Sequence, residues 1–237
     1  EFRELKLSRC QNPVVTQFWR EVAEKAGGEA SLQNIVPYIV SKFDNFLSNE
    51  IMRPIIAQER STFNFREIMD TKKILLVNLS KGKMGELNSK LLGIIFVMKF
   101  QAAAMGRANI PEDQRTDFSL YVDEFQNFAT ESFETILSEA RKYRLNLILG
   151  NQFMTQLTDK IREAIIGNVG TVVSGRIGIT DAEMLVKKFS PTFDAEDLTK
   201  MPNYQSVTSV MVHNVPSAPF SMSFLPPMGE PNGQLSD

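Results

Sequence analysis

Asp123 and Glu124 stand side by side directly after FSLYV (118–122), an apolar, β-rich run. NLILG (146–150) likewise runs into Asn151 and Gln152, and TVVSG (171–175) into Arg176. These residue types are sufficient for phosphoryl transfer, which asks little of a protein beyond positioning and charge compensation. One acid orients Mg²⁺ through its bound waters, because Mg²⁺ gives up water reluctantly. The second acid polarises an attacking water. An amide can sense the γ-phosphate, and an arginine can reach the phosphate held by a neighbouring subunit. Taken singly, each residue has a plainer explanation: a solvated strand end, a turn amide, a surface cation. Their order along consecutive strand ends is what favours chemistry.

The loop that would cradle a triphosphate is absent from these residues. SKGKMGE (80–86) contains Gly-Lys, but the pattern G-x-x-x-x-G-K-[ST] requires Gly at 77 and Ser or Thr at 84, where the sequence has Val77 and Met84. The stretch reads as a strand-to-helix loop, or as a mobile, partly basic loop, with Lys81 and Lys83, that faces DNA or the nucleotide.

The elements that must position these side chains follow from hydrophobic periodicity. Residues 12–50 look helical and are broken at AGGEAS (26–31), with Ser31 as an N-cap and Pro37 inside the second segment. From residue 70, apolar runs alternate with amphipathic ones. Strands are expected at 73–79, 118–122, 146–150 and 171–175, and helices at 86–107, 131–143, 159–168 and 180–189. The last helix opens on a Thr-x-x-Glu capping box at Thr180. An edge hairpin is expected near 207–213 and 220–224. Such alternation argues a mostly parallel sheet with helices on both faces, and ligands of such sheets bind beyond the carboxyl ends of the strands.

Composition sets limits. The 237 residues are 43% hydrophobic and 23% charged, with a net charge of −2, so any nucleic-acid surface must be local or built by assembly. The single cysteine, Cys10, excludes an intramolecular disulfide framework and a cysteine-cluster metal site. The longest apolar run, Leu91–Met98, is far short of the ~20 residues of a membrane span. The only histidine, His213, receives no catalytic role. The chain opens on Glu1-Phe2 and closes on LPPMGEPNGQLSD, which together suggest part of a longer polypeptide ending in a tail.

KILLVNLSKGKMGELNSKLLG (73–93), DFSLYVDEFQNFATESFETILSEARKYRLNLILGNQFMTQL (117–157) and GNVGTVVSGRIGITDAEML (167–185) resemble the later half of HerA–FtsK-type motor ATPases, nearest to the TraD/TraG-like coupling proteins of type IV secretion. The resemblance covers roughly residues 10–225. It implies an α/β, RecA-like P-loop core, incomplete at its N-terminal side. Residues 1–55 would then be a helical insertion, 56–225 the core and 226–237 a linker or tail. It further implies a homo-hexameric ring that uses ATP and Mg²⁺ to move DNA in conjugation. The setting would be cytoplasmic, at the inner face of the membrane through regions outside this chain. By position, Asp123 looks like the Walker B acid that orients the metal, Glu124 the water-activating acid, Gln152 the sensor and Arg176 an arginine finger acting in trans. The missing P-loop would lie before residue 1. The first alternative is a non-catalytic assembly or recognition module. A second is a metal-dependent nuclease using Asp117, Asp123 and Glu124.

Overall fold

The computed structural model describes residues 2–23, 28–130 and 133–226. Two compact units divide the chain: Glu1–Ser61 with Ser80–Asn88, and Thr62–Leu79 with Ser89–Asp237.

The first unit is helical. It holds α1 (Phe2–Ser8), α2 (Pro13–Gln17), which continues as a π-turn over Phe18–Ala23, α3 (Gly28–Leu47) and α4 (Met52–Ile56). Pro13 suits the first turn of α2, where its missing N–H costs nothing, and Asn12 Oδ1 caps the turn by accepting the Val14 N–H at 3.0 Å. Pro37 lies inside α3. Ser31 does not cap this helix: α3 starts at Gly28 and runs through Ser31, while residues 24–27 of the expected break lie outside the described residues.

The chain then contributes α5 (Phe65–Asp70) to the second unit and returns for α6 (Lys81–Met84), a single turn closed by Gly85 at φ +81°. A positive φ is the conformation that glycine adopts without strain. Residues 73–79 are not a strand. Leu75 and Leu79 pack partly buried on the core, whereas Ile74 and Leu76 are 89% and 90% exposed. The alternation is that of an extended segment, but among the described residues it has no ladder partner.

The long helix α7 (Glu86–Met105) carries the chain into the second unit and ends in a 3₁₀ turn, Gly106–Asn109. By length and composition it could cross a membrane. Among its buried side chains, Val97, Phe100 and Ala104 belong to the main core, so its C-terminal half packs on the second unit. Phe100 meets Phe65 edge-on at 5.0 Å and stacks on Phe118 at 5.4 Å, which fixes α7 and α5 against the first strand.

That strand, β1 (Phe118–Val122), pairs in parallel with β2 (Leu145–Leu149), Phe118 opposite Leu145 and Val122 opposite Leu149. α8 (Phe133–Glu139) is the crossover between them, and α9 (Asp159–Asn168) follows β2. The parallel arrangement stops at this pair among the described residues. β3 (Val172–Ser174) runs antiparallel to β4 (Gln205–Ser209), which is the central strand of a sheet ordered β3-β4-β7, with β7 spanning Phe220–Ser223. The two strands of the expected edge hairpin do pair antiparallel, as β4 with β7, and β7 lies at the edge of this sheet. β4 is internal, with Ser206–Ser209 buried, and a smaller hairpin, β5–β6 (Met211–Val212 with Val215–Pro216), lies between the two. His213 sits in its tight turn, at φ 48°.

α10 (Ile179–Leu185) and α11 (Ala195–Thr199) cover a second core of Ala182, Phe189, Leu198, Met201 and Val207. The N-cap of α10 is Gly178, so Thr180 is a residue of the helix and forms no capping box. The box occurs at α11 instead, between Asp194 and Asp197.

Candidate functional site

Because β1 and β2 are parallel and in register, their carboxyl ends lie together and everything that follows them converges. The Gly150 N–H donates to Val122 O at 2.9 Å and the Phe125 N–H to Gly150 O at 2.8 Å, which ties the two exits into one turn. A side chain at 150 would crowd this junction: a Cβ there would stand 3.1 Å from Asp123 Oδ1.

Glu124 occupies the left-handed region, at φ 50° and ψ 44°. A non-glycine residue there costs on the order of 1 kcal/mol or more and persists only where its surroundings impose it. Three contacts do so. Asp123 Oδ1 accepts the Glu124 N–H at 2.9 Å, and the Glu124 carbonyl accepts from Asn127 Nδ2 at 3.1 Å. Next in sequence, Phe125 is completely buried and edge-on to Phe133 at 4.5 Å. The turn lifts the Glu124 carboxylate off the strand end, where two amides meet it: Gln126 Nε2 donates to Oε2 at 2.5 Å and Gln152 Nε2 to Oε1. Asp123 is exposed.

The turn rests on α7. Phe128 packs directly against Gly93, and a Cβ at 93 would fall 2.1 Å from its ring. Gly93→Val is therefore expected to force the ring and the segment after Glu124 outward, destabilising the protein by about 1–3 kcal/mol. Urea unfolding checks this. The double change with Phe128→Ala should recover part of the loss, and an unchanged midpoint for the single variant would contradict the contact.

Among the expected site residues, the structure brings together Asp123, Glu124 and Gln152. Arg176 follows β3, is exposed and donates from Nη2 to Asn203 Oδ1 at 3.0 Å; it has no hydrogen bond to the Glu124 group. Lys81 and Lys83 are exposed on α6 of the first unit. Asp117 precedes β1 and pairs with Arg144 at 3.5 Å. It is separated from Asp123 by the length of the strand, about 20 Å, so the three acids of the nuclease alternative do not converge.

Two participants were not singled out from the sequence. Gln126 is one; its i+2 spacing from Glu124 reaches the carboxylate only because of the left-handed turn. The other is Asp181, whose carboxylate accepts the Met154 and Thr155 N–H groups at 3.2 Å each. It lay within the stretch read as a capping box.

Among the described residues no three acidic, histidine or cysteine side chains converge as a metal shell. An all-protein cage for a divalent ion therefore does not fit this site. A single exposed carboxylate, Asp123, does fit a Mg²⁺ held mainly by water and substrate phosphates.

Residues 117–212 match the family model described as the TraM recognition site of TraD and TraG. No curated protein sequence matches the chain.

Proposed function

We propose, from the match of residues 117–212 to the TraD/TraG family model, that the chain is the C-terminal part of an ATP-driven, DNA-translocating motor of conjugation, with Asp123, Glu124 and Gln152 as its hydrolysis centre. The observation that carries this is the Glu124 carboxylate, raised on a left-handed turn after β1 and bonded by Gln152 from the end of β2. ATP is the substrate. Glu124 takes up proton density from the attacking water, and Asp123 would hold Mg²⁺ through the ion's own waters. Gln152 links the state of the phosphate to the chain beyond β2. In this proposal the triphosphate is cradled by a P-loop from outside these residues, which completes a RecA-like core. Arg176 acts in trans across a homo-hexamer, Lys81 and Lys83 face DNA, and the motor works at the cytoplasmic face of the membrane.

Arg176 offers the test of assembly. In the intact protein, Arg176→Ala should leave nucleotide affinity in place and lower turnover by about 10³-fold or more, as expected of a trans arginine. Nucleotide affinity that collapses in this variant would make Arg176 a binding or structural residue.

The matched family, described by its recognition of TraM, also favours a second role, recognition of a TraM-like partner by residues 117–212. The two are compatible. Calorimetric titration of the chain with such a protein tests recognition; a chain that binds it and needs Glu124 for no turnover would be a recognition module alone.

A further inference from the structure

Asp181 is a buried carboxylate, 4% exposed, in the first turn of α10. A buried charge is strongly unfavourable unless hydrogen bonds replace its hydration. Among the described residues no lysine or arginine forms an ion pair with it. Its two oxygens are instead taken by consecutive backbone amides: Oδ2 by the Met154 N–H and Oδ1 by the Thr155 N–H, each at 3.2 Å.

Those amides belong to the 3₁₀ turn Met154–Gln156, which begins two residues after Gln152. The Met154 side chain is buried, and its Sδ accepts Asn151 Nδ2 at 3.6 Å. One line of contacts therefore runs from Asp181 through Met154 to Asn151, the neighbour of Gln152. On its other side, Asp181 follows Arg176 by a short segment whose Gly178 is the N-cap of α10. Met184 and Leu185 of α10 also pack on the main core. The loop that carries Gln152 is thus hydrogen-bonded to the helix that follows Arg176 through the Asp181 carboxylate, beside the apolar packing of that helix on the core.

We propose that Asp181 is a positioning residue of the hydrolysis centre: its carboxylate holds the Gln152 loop in the place from which Gln152 reaches Glu124, and so couples the Arg176 segment to that contact. The proposal rests on the hydrolysis reading of Glu124 and Gln152. Opening the clamp releases two amides and lets the loop recede. Gln152 then leaves Glu124 although neither residue has changed. A misplacement of about 1 Å in a reacting assembly can cost on the order of 100-fold in rate.

Asp181→Asn tests this, because it keeps the size of the side chain and replaces one acceptor by a donor that faces an N–H. In the chain itself, amide exchange at Met154 and Thr155 should accelerate. The Gln152 side-chain amide signal should move toward that of a solvated glutamine, while the signals of Phe189 and Leu198 in the second core stay in place. In the intact protein, kcat should fall roughly 10- to 100-fold with KM for ATP nearly unchanged. In a Gln152→Ala background the same change should add nothing, because the two act as a unit. A Gln152 amide signal that does not move, or full additivity of the two variants, would overturn the proposal. Should Asp181→Asn not fold, Asp181→Glu keeps the charge and lengthens the side chain, and is judged by the same signals. If Glu124→Gln leaves turnover intact, the hydrolysis reading fails, and the amide signals still decide whether Asp181 positions Gln152.

Discussion

Arg107→Met is expected to lower the unfolding free energy by about 2–5 kcal/mol, because it removes a buried donor from two backbone carbonyls as well as from Asp70. Arg107 is fully buried at the end of the β1–β2 layer opposite to Glu124. Its Nε donates to Asp70 Oδ1 at 2.9 Å, and Nη1 donates to the Thr116 and Tyr143 carbonyls, also at 2.9 Å. One guanidinium therefore joins α5, the turn after α7, the start of β1 and the approach to β2. Burial pushes its pKa below the usual arginine value, and the neighbouring Asp70 only partly offsets this. Methionine fills much of the space but leaves the Thr116 and Tyr143 carbonyls without this donor, while Asp70 keeps Arg66 as a partner. For a chain of this size the loss corresponds to a melting temperature lower by roughly 10 °C. Asp70 also accepts from Arg66, whose side chain is 25% exposed, so Arg66→Met should cost far less, about 1 kcal/mol or below. Urea unfolding of both variants checks the ranking; equal costs would show that burial of Arg107 does not set the energy.

The elements with strong, uninterrupted periodicity were legible in the sequence. β1 and α9 fall on the expected residues, and α7 ends within two residues of its expected end, because a buried face imposes its period on the chain. The convergence of Asp123, Glu124 and Gln152 followed from two parallel strands with polar exits. What failed depended on partners distant in sequence. A short apolar run looks the same whichever ladder it joins, so the antiparallel pairing of β3 and the unpaired state of 73–79 could not be read. Caps were misplaced at Ser31 and Thr180 because Ser, Thr and Asp are good caps at several nearby positions. Asp181 and Arg107 are buried charges whose partners lie far along the chain, and a single sequence carries no sign of them.

Glu124→Gln has the largest expected effect on chemistry. The carboxylate accepts from Gln126 and Gln152 at once, and a glutamine can offer an acceptor to only one of them while turning its NH₂ on the other. In the proposed hydrolysis centre the substitution removes the base, and it loosens the contact between the two strand ends. Loss of a general base costs about 10²- to 10⁴-fold, and the added loss of Gln152 placement pushes the effect toward the upper end. The left-handed turn is set by Asp123, Asn127 and Phe125, not by the Glu124 side chain, so the fold and the nucleotide site should persist.

The central claim is tested most directly by Mg²⁺-dependent ATP turnover of the intact protein beside its Glu124→Gln variant, with nucleotide binding measured on the same preparations. The account predicts equal binding and turnover lower by about 10³-fold or more. Turnover retained at near the parent rate, with binding unchanged, would contradict it and leave the β1–β2 exit as structure rather than a hydrolysis centre.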